Sequence, residues 1–366
     1  MKRIFLIFFF ILGGCSPNTP EDGSWTAFWN DDAGLMGFKD QNGKIRIEPR
    51  YTGFTTAKKF DSIVAVMEEK DGRTEIYYLT KSGKKVGRDH IYLFDNGPDC
   101  ESEGFIRFRD KKTGLAGLLN GKGEMVVPAQ YNDLTNVRSG RVIALKGARK
   151  KCPAGGMPAD CDHFSWVGGM AYLIDTRNRI IIENFKPNAN LDLSSLKTGD
   201  APARDAKRQS FRGVDGRVYS FLDYEKEFRA WLDTAVQNPL SREKLIAISY
   251  KNIYFWKEPD GWTTEASRTF MNRNFKIIQN RLSELTKQNS DYFIASGGLN
   301  PFIYNGAEFD AYYNHCGEPK EWQYPVMDVV VNHKTKSDSY QDHFEFLRTD
   351  NGYRLISMTV RSGPLQ

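Results

Sequence analysis

Residues 34–51 read GLMGFKDQNGKIRIEPRY, and residues 114–131, 80 positions later, read GLAGLLNGKGEMVVPAQY. Both stretches keep three glycines at matching positions, a proline near the end and a final tyrosine, whereas most of the large residues differ. Another turn lies midway, because Gly43, Gly83 and Gly123 are 40 residues apart. A glycine between two β-prone runs is typical of a hairpin, since glycine takes positive φ without a side-chain clash. The sequence therefore predicts a β unit that is repeated along the chain.

Each predicted hairpin is followed by a further apolar run, which extends the unit to three strands. These runs are SIVAVMEE (62–69), GFIRFRDK (104–111) and RVIALKGA (141–148). A partial further copy, MAYLIDTRNRIIIENF, begins at Met170 and carries Asn178 near the glycine position, where asparagine also tolerates a left-handed turn. A fixed period of about 40 residues indicates an array in which each unit buries one face against the next. We therefore expect an all-β repeat domain over residues 24–185.

This pattern resembles the WG-containing repeat family, which is found in many bacterial surface and exported proteins. The resemblance spans residues 30–185, and the family's tryptophan position holds Met36 in one copy and Ala116 in another. A ligand site built from those tryptophans in relatives is therefore not expected here. The shared glycines, prolines and tyrosines are the residues that turns, strand ends and packing require, and they predict architecture rather than activity. The matching residues are Gly37, Phe38, Lys39, Asp40, Gly43, Lys44, Ile47, Pro49 and Tyr51, and Gly117, Leu118, Gly123, Val127, Pro128 and Tyr131.

The amino terminus, MKRIFLIFFFILGGC, has the parts of a secretory signal: Lys2 and Arg3, an apolar run, then small residues and Cys15. The run is too short for a membrane-spanning helix. Its end resembles the lipobox of bacterial lipoproteins, which implies that Cys15 receives diacylglycerol. The alternative is an ordinary cleaved signal with an incidental cysteine. Ser16 in place of an aspartate implies, by the same resemblance, an outer-membrane lipoprotein in a host with two membranes, and the polar residues 16–23 read as a tether.

Composition suits a protein with two folded domains and does not favour nucleic acid as a partner. The chain has 366 residues, of which 40% are hydrophobic and 13% aromatic, enough for substantial cores. The formal net charge is +5, and removal of Met1–Gly14 would take away Lys2 and Arg3 and leave +3. A balance this even gives no basic surface of the kind that nucleic-acid-binding proteins present.

Four cysteines remain after Cys15, which permits disulfides in an exported protein. Cys152 and Cys161 bracket a glycine- and proline-rich loop and are predicted to pair. A bond between Cys100 and Cys316 would join the two halves of the chain, and the sequence leaves that pairing open. Zinc is the competing use of the cysteine loop, with His163 beside Cys161, but no CxxC or HxxxH spacing supports a metal site.

The second half shows a different periodicity. Residues 186–217 are poor in large apolar side chains and predict a linker, followed by an α+β domain over residues 218–366. Asp223 is predicted to cap a first helix and Ser241 a second, and the clearest helix is expected to begin near Thr263 or Thr264. Its apolar stripe has steps of four, three, four and three residues, and consists of Met271, Phe275, Ile278, Leu282 and Leu285.

From about residue 291 the pattern predicts antiparallel strands. PVMDVVVNH alternates, and QDHFEFLRTDNGYRLISMTV predicts a hairpin around Asn351-Gly352. This order and the closing hairpin resemble nuclear transport factor-like domains over residues 220–363. The resemblance implies a curved sheet that wraps round helices and forms a pocket.

No sequence motif for catalysis, a cofactor or a metal stands out. There is no HExxH, no GxSxG, no P-loop and no GxGxxG after a strand. His333 and His343 lie on neighbouring predicted strands, with Asp328 or Asp342 within reach, and are the candidates for acid–base work in a pocket. The alternative is that they are strand residues facing solvent.

Six aromatic residues, which lie partly in predicted loops, are candidates for stacking on glycan rings or anchoring a protein, against the alternative of core packing. The segment SGGLNPFIYNG (296–306) is the expected ligand-facing loop. Three functions follow as hypotheses: a binding module for a protein or an envelope polymer, an envelope hydrolase or isomerase with a C-terminal pocket, or a structural surface protein. We favour the first. The six aromatics are Trp256, Trp262, Tyr304, Tyr312, Tyr313 and Trp322.

Overall fold

A computed structural model describes residues 23–94, 97–152, 164–187, 191–236, 240–257, 259–285, 290–334, 339–361 and 365. The proposed signal, Cys15 and most of the tether precede these residues. Within the described part, no helix combines the length and the apolar character needed to cross a membrane.

The first half is built from antiparallel strands, as the repeat predicts. Three sheets have the orders β4-β1-β2-β3-β5-β6-β7, β10-β11-β12 and β13-β14-β15-β16, and β8 pairs with β9. The strands are β1 (Trp25–Asn30), β2 (Leu35–Lys39), β3 (Ile45–Tyr51), β4 (Lys59–Phe60), β5 (Ile63–Lys70), β6 (Arg73–Thr80), β7 (Lys85–Val86), β8 (Leu93–Phe94), β9 (Gly97–Pro98), β10 (Phe105–Arg109), β11 (Ala116–Asn120), β12 (Met125–Tyr131), β13 (Asp133–Leu134), β14 (Arg141–Lys151), β15 (Ser165–Asp175) and β16 (Ile180–Ile182).

Five of the hairpin turns share one hydrogen-bonding pattern. In each, the first residue donates its N–H to the carbonyl of the fifth, and the fourth donates its N–H back to the first. The fourth residue has positive φ, between 61° and 82°. In four of the turns a side-chain oxygen of the first residue also accepts the N–H of the fifth, at 2.9–3.1 Å. The turns are Asp40–Lys44, Thr80–Lys84, Asn120–Glu124, Asp175–Arg179 and Gly213–Arg217.

The fifth turn lies inside the segment predicted to be a linker, and that prediction is wrong. The segment contributes β17 (Leu191–Gly199) and β18 (Arg208–Arg212), which flank β19 (Val218–Asp223) in the order β17-β19-β18. Its few apolar side chains join a core with Phe185 and Phe221. A strand buried on one face needs few apolar residues, so the low apolar content of this segment did not distinguish strands from a linker.

The repeated glycines Gly37 and Gly117 allow two strands to approach closely. The pairing of β2 with β3 and that of β11 with β12 shift register at these glycines. A Cβ atom added at Gly37 would lie 2.4 Å from the carbonyl oxygen of Ile47, and one at Gly117 would lie 2.6 Å from that of Val127. Backbone atoms cannot rotate out of the way as a side chain does, so each repeat requires glycine here.

Gly37→Ala is expected to lower the free energy of unfolding by about 2–3 kcal/mol, because the new methyl group would overlap the β3 backbone. Gly53→Ala is the matched control, since a Cβ at Gly53 meets no atom within 4 Å. We expect the control to change stability by less than about 1 kcal/mol. Urea denaturation of both variants measures the difference, and equal effects would contradict the close-approach explanation.

The second half packs helices on one six-stranded sheet of order β21-β20-β25-β24-β23-β22. Strands β20 and β25 are parallel and all other neighbours are antiparallel. The predicted caps are confirmed, because Asp223 accepts the N–H of Lys226 and Ser241 that of Lys244, both at 3.1 Å. The elements are α1 (Tyr224–Ala235), α2 (Arg242–Ala247), β20 (Ser249–Lys257), β21 (Gly261–Ala266), α3 (Ser267–Glu284), β22 (Tyr292–Gly297), β23 (Val326–Lys334), β24 (Ser339–Thr349) and β25 (Gly352–Thr359).

The expected start of the third helix is wrong by several residues. Thr263 and Thr264 belong to β21, which pairs with β20, and α3 begins at Ser267. Threonine is β-branched and fits a paired strand better than a helix. The predicted apolar stripe of α3 does face the core: Met271, Ile278 and Leu282 are buried.

The two faces of the six-stranded sheet carry separate cores. Met327 and Phe346, which are paired across β23 and β24, pack under the helices. Their neighbours Val326 and Leu347 point the other way, beneath residues 298–325, which include a short 3₁₀ helix, Ala307–Tyr312. We refer to these surfaces as the helix face and the loop face.

The two halves are joined covalently. The pairing that the sequence left open is present: Cys100 and Cys316 form a disulfide with Cα atoms 6.1 Å apart. Lys58 donates its backbone N–H to the carbonyl of His315 at 2.8 Å beside the bond. The predicted partner of Cys152, Cys161, lies outside the described residues together with His163, so that pairing stays a prediction.

Candidate functional site

The two candidate histidines lie on neighbouring strands and point to opposite faces of the sheet. His343 of β24 is on the loop face, where its Nδ1 lies 2.8 Å from Oδ2 of Asp328. His333 of β23 is on the helix face, where its Nε2 lies 3.0 Å from Oδ2 of the fully buried Asp342. The prediction that Asp328 or Asp342 stands near them is confirmed for both. Because side chains alternate between the two faces along a strand, the two His–Asp pairs lie on opposite faces and do not form a single cluster.

A cleft of 420 Å³ opens at this end of the sheet, and both histidines line it. Four of its nine lining residues are basic or histidine and the other five offer hydroxyl or amide groups, and none is acidic. Arg361 forms no ion pair within the described residues, so its guanidinium is available to a ligand. The lining residues are Asn332, His333, Lys334, Ser339, Tyr340, Gln341, His343, Thr359 and Arg361. We call this space the basic cleft.

A partly buried polar cluster lies beneath His343. Glu345 lies opposite Asp328 of β23 and Ser357 of β25 in the sheet. Burial raises the pKa of its carboxyl group. The hydroxyl of the buried Tyr304 faces Glu345 and Ser357, and burial raises the pKa of that phenol. Oδ1 of Asp328 is buried without a hydrogen-bond donor. Buried polar atoms are normally paired with protein groups or with water.

The hydrogen bond between His343 and Asp328 fixes the chemistry of the ring. A carboxylate only accepts, so Nδ1 carries the proton and Nε2 is the nitrogen left for the cleft. The hydrogen bond to Asp328 raises the pKa of His343 above its ordinary 6.5, although partial burial opposes the shift. The ring therefore stays protonated to a higher pH than a free imidazole, and once it loses its proton the free Nε2 is a base.

We expect the imidazole resonances of His343 to titrate above pH 6.5 and those of Asp328→Asn to titrate at lower pH, because the amide no longer stabilises the imidazolium. NMR titration measures both values, with His90→Gln included to assign the spectrum. A folded-state pKa above the unfolded value means that this pair stabilises the fold fully below the unfolded pKa. The contribution is lost as pH rises through the folded value. An unchanged pKa in Asp328→Asn would show that the carboxylate does not act on the ring.

The six candidate aromatics do not form one groove. Trp256 and Trp262 form an exposed edge-to-face pair on the β20–β21 hairpin, with centroids 5.9 Å apart. Tyr304 is buried, and Tyr312 and Tyr313 pack around it. Trp322 lies at the junction, where the Arg138 guanidinium is 4.8 Å from its ring. The structure therefore brings the tyrosines into the loop-face core and leaves only the tryptophan pair open.

The predicted ligand-facing loop, residues 296–306, is anchored in that core but is largely accessible. Leu299 and Tyr304 are buried, whereas the exposed residues are Ser296, Asn300, Pro301, Phe302 and Asn305, with 89% of the Phe302 surface exposed. An apolar groove of 660 Å³ that the sequence did not predict lies between the second and third repeat units. Phe108, Leu119 and Met125 contribute to it, and the exposed Met125 in a strand was the available signal.

Comparison with known families supports the repeat but not the cleft. Residues 36–61 and 117–149 match the model of the WG containing repeat. The first half of the chain contains WG-containing repeats. The matched segments run from β2 to β4 and from β11 to β14, and they include the close-approach glycines Gly37 and Gly117.

The residues at the family's tryptophan position are packed in the core in both matched repeats. Met36 and Ala116 are buried opposite Tyr51 and Tyr131. The comparisons with curated proteins and with solved structures returned no match. The basic cleft lies outside the matched segments, so the WG repeats supply architecture for the first half and no residue of the cleft.

Proposed function

We propose that this chain is a lipid-anchored protein of the bacterial outer membrane that binds an anionic envelope polymer in the basic cleft. One observation carries the proposal: His333, Lys334, His343 and Arg361 line the cleft and no acidic residue does. Cationic groups next to hydroxyl and amide donors suit carboxylate- or phosphate-bearing ligands that also carry hydroxyl groups. The WG repeats then act as the rigid body between anchor and cleft, with Cys15 as the lipid attachment point.

Binding should weaken as pH rises, because His343 loses its charge while Arg361 keeps its own. Polygalacturonate is a suitable anionic probe and dextran a neutral one, each titrated into the chain from residue 16 onward, which contains every described residue. Arg361→Gln and His343→Gln are expected to weaken polygalacturonate binding about tenfold each, the loss of one charge-assisted contact. Arg229→Gln, on the exposed surface of α1, is the control.

Equal binding of dextran, or binding that survives both cleft variants, would overturn the proposal. The anchor is tested separately by metabolic labelling with a fatty acid. Label is expected in the full-length chain and absent from Cys15→Ser. Labelling of the variant would remove the lipid-anchor part of the proposal and leave the cleft part intact.

A second candidate function is an envelope hydrolase or isomerase that uses the same cleft. The observation that favours it is the His343–Asp328 pair, which leaves Nε2 as a general base. The resemblance of this half to nuclear transport factor-like domains, in which a curved sheet and helices enclose a pocket, also supports it. Turnover of a bound polymer that is lost in His343→Gln while binding persists would favour the enzyme. Binding without turnover favours the binding module.

A further inference from the structure

Three potential metal ligands from distant parts of the sequence meet at the junction of the two halves. A carboxylate oxygen of Asp61, one of Glu101 and a ring nitrogen of His315 all lie within 4.8 Å of one another. Asp61 and Glu101 belong to the repeat half, and His315 to the other half. Glu101 follows Cys100 and His315 precedes Cys316, so the disulfide holds two of the three ligands near each other.

Glu101 has an unused buried oxygen. Only 8% of the residue is exposed, and its Oε2 accepts the backbone N–H groups of Asp61 at 2.7 Å and Ser62 at 3.1 Å. The other oxygen, Oε1, is buried without a hydrogen-bond partner. Leaving a carboxylate oxygen unpaired in the interior is costly, and a cation is one of the few groups that can offset this cost. The two backbone bonds fix the carboxyl group so that Oε1 is the free ligand atom.

Asp61 and His315 are placed to complete a coordination sphere. The hydroxyl of Ser24 donates to Oδ1 of Asp61 at 2.5 Å, which orients that carboxylate. Oδ2 of Asp61 lies 3.7 Å from Nδ1 of His315. Two ligand atoms on a tetrahedral zinc ion are about 3.4 Å apart, given bond lengths of about 2.0–2.2 Å.

We propose that Asp61, Glu101 and His315 bind a divalent transition-metal cation of the zinc type and so join the two halves of the chain beside the Cys100–Cys316 disulfide. One nitrogen and two carboxylate oxygens leave a fourth position for water, as in other zinc sites with three protein ligands. The site is independent of the basic cleft.

The ligand set favours a transition metal over calcium or magnesium. Calcium and magnesium bind oxygen ligands, whereas the ring nitrogen of His315 is a ligand that suits zinc.

Zinc titration of the chain from residue 16 onward, followed by calorimetry, tests the site. We expect zinc binding that Glu101→Gln and His315→Gln each weaken at least tenfold, and no comparable binding of calcium. His90→Gln is the matched control, because His90 also lies 3.7 Å from an aspartate oxygen, that of Asp110, but has no third ligand among the described residues. The control is expected to bind zinc as the unaltered chain does.

Zinc should also raise the melting temperature of the unaltered chain and of His90→Gln but not of Glu101→Gln. Asp61→Asn, at a partly exposed ligand, provides a second variant if the buried amide that Glu101→Gln introduces prevents folding. Anomalous diffraction from a zinc-soaked crystal is expected to place the ion among the three side chains. Zinc affinity that is unchanged in His315→Gln and Asp61→Asn, or an anomalous peak elsewhere only, would overturn the proposal.

Discussion

Replacing both Cys100 and Cys316 by alanine is expected to lower the free energy of unfolding by about 5 kcal/mol, the largest single effect that we predict. The bond spans 216 residues. Loop closure over so long a segment removes a large conformational entropy from the unfolded chain, and the gain grows with loop length. The structure adds a second reason, because the bond holds the two halves against each other where Lys58 and His315 are hydrogen-bonded.

Urea denaturation of the double variant measures this effect, with the predicted Cys152–Cys161 pair as the control. Replacing that pair opens only a short loop, and the expected loss is about 2–3 kcal/mol. Comparing two double variants avoids a reducing agent, which would break both bonds at once. If the Cys100→Ala/Cys316→Ala chain is as stable as the unaltered one, the disulfide does not constrain the junction in solution.

Asp99→Ala is expected to cost about 3–5 kcal/mol, because it leaves a buried guanidinium without its counter-ion. Only 2% of the Asp99 side chain and 13% of the Arg107 side chain are exposed. Arg107 donates to Asp99 from Nε at 3.1 Å and from Nη2 at 2.5 Å, and its Nη1 donates to the carbonyl of Leu134 at 2.8 Å. The guanidinium also lies 4.1 Å from the ring of Tyr92. The hydrogen bond from Arg107 to Leu134 thus connects β10 to β13 of the next repeat unit.

A double variant that removes both charges complements the single Asp99→Ala change. Asp99→Leu/Arg107→Met is expected to recover most of the lost stability, since a buried pair replaced by apolar residues no longer carries a desolvation penalty. Glu225→Gln, which breaks an exposed pair with Arg229 on α1, should cost at most about 0.5 kcal/mol. A cost for Asp99→Ala as small as that of Glu225→Gln would mean that water reaches Arg107 in solution.

The repeated hairpins could be predicted from sequence because each depends on residues within one short segment. Each turn needs a residue that tolerates positive φ, such as Gly43, Gly123 or Asn178. It also uses a side-chain oxygen at its first position, such as that of Asp40 or Asp175. Both requirements are local and can be recognised in the sequence. The fifth turn has the same backbone bonds, but Gly213 lacks that side chain and β18, the strand before the turn, is largely polar. Composition therefore hid a unit that the backbone hydrogen bonds define clearly.

The candidate sites were predictable in part. The sequence placed His333 and His343 on neighbouring strands with an aspartate within reach of each, and both His–Asp contacts are present. The same reasoning did not separate the two histidines onto opposite faces. It also put Tyr304, Tyr312 and Tyr313 in open loops, whereas the structure buries or packs them on the loop face. An aromatic residue in a sequence indicates that its burial would be favourable, but it does not indicate which part of the protein it packs against.

The sequence by itself determined the repeat, its hairpins, the helix caps and the closing hairpin near the carboxyl end, since all of these depend on neighbours along the chain. Only the tertiary structure decided the basic cleft, the Asp99–Arg107 pair, the Cys100–Cys316 bond and the meeting of Asp61, Glu101 and His315. The disulfide and the three potential metal ligands join residues that are far apart in sequence, and the Asp99–Arg107 pair, eight residues apart, is completed by the carbonyl of Leu134. The physical reason is that local propensity acts over a few residues, whereas a site of this kind forms only when the packing of whole units brings its members together.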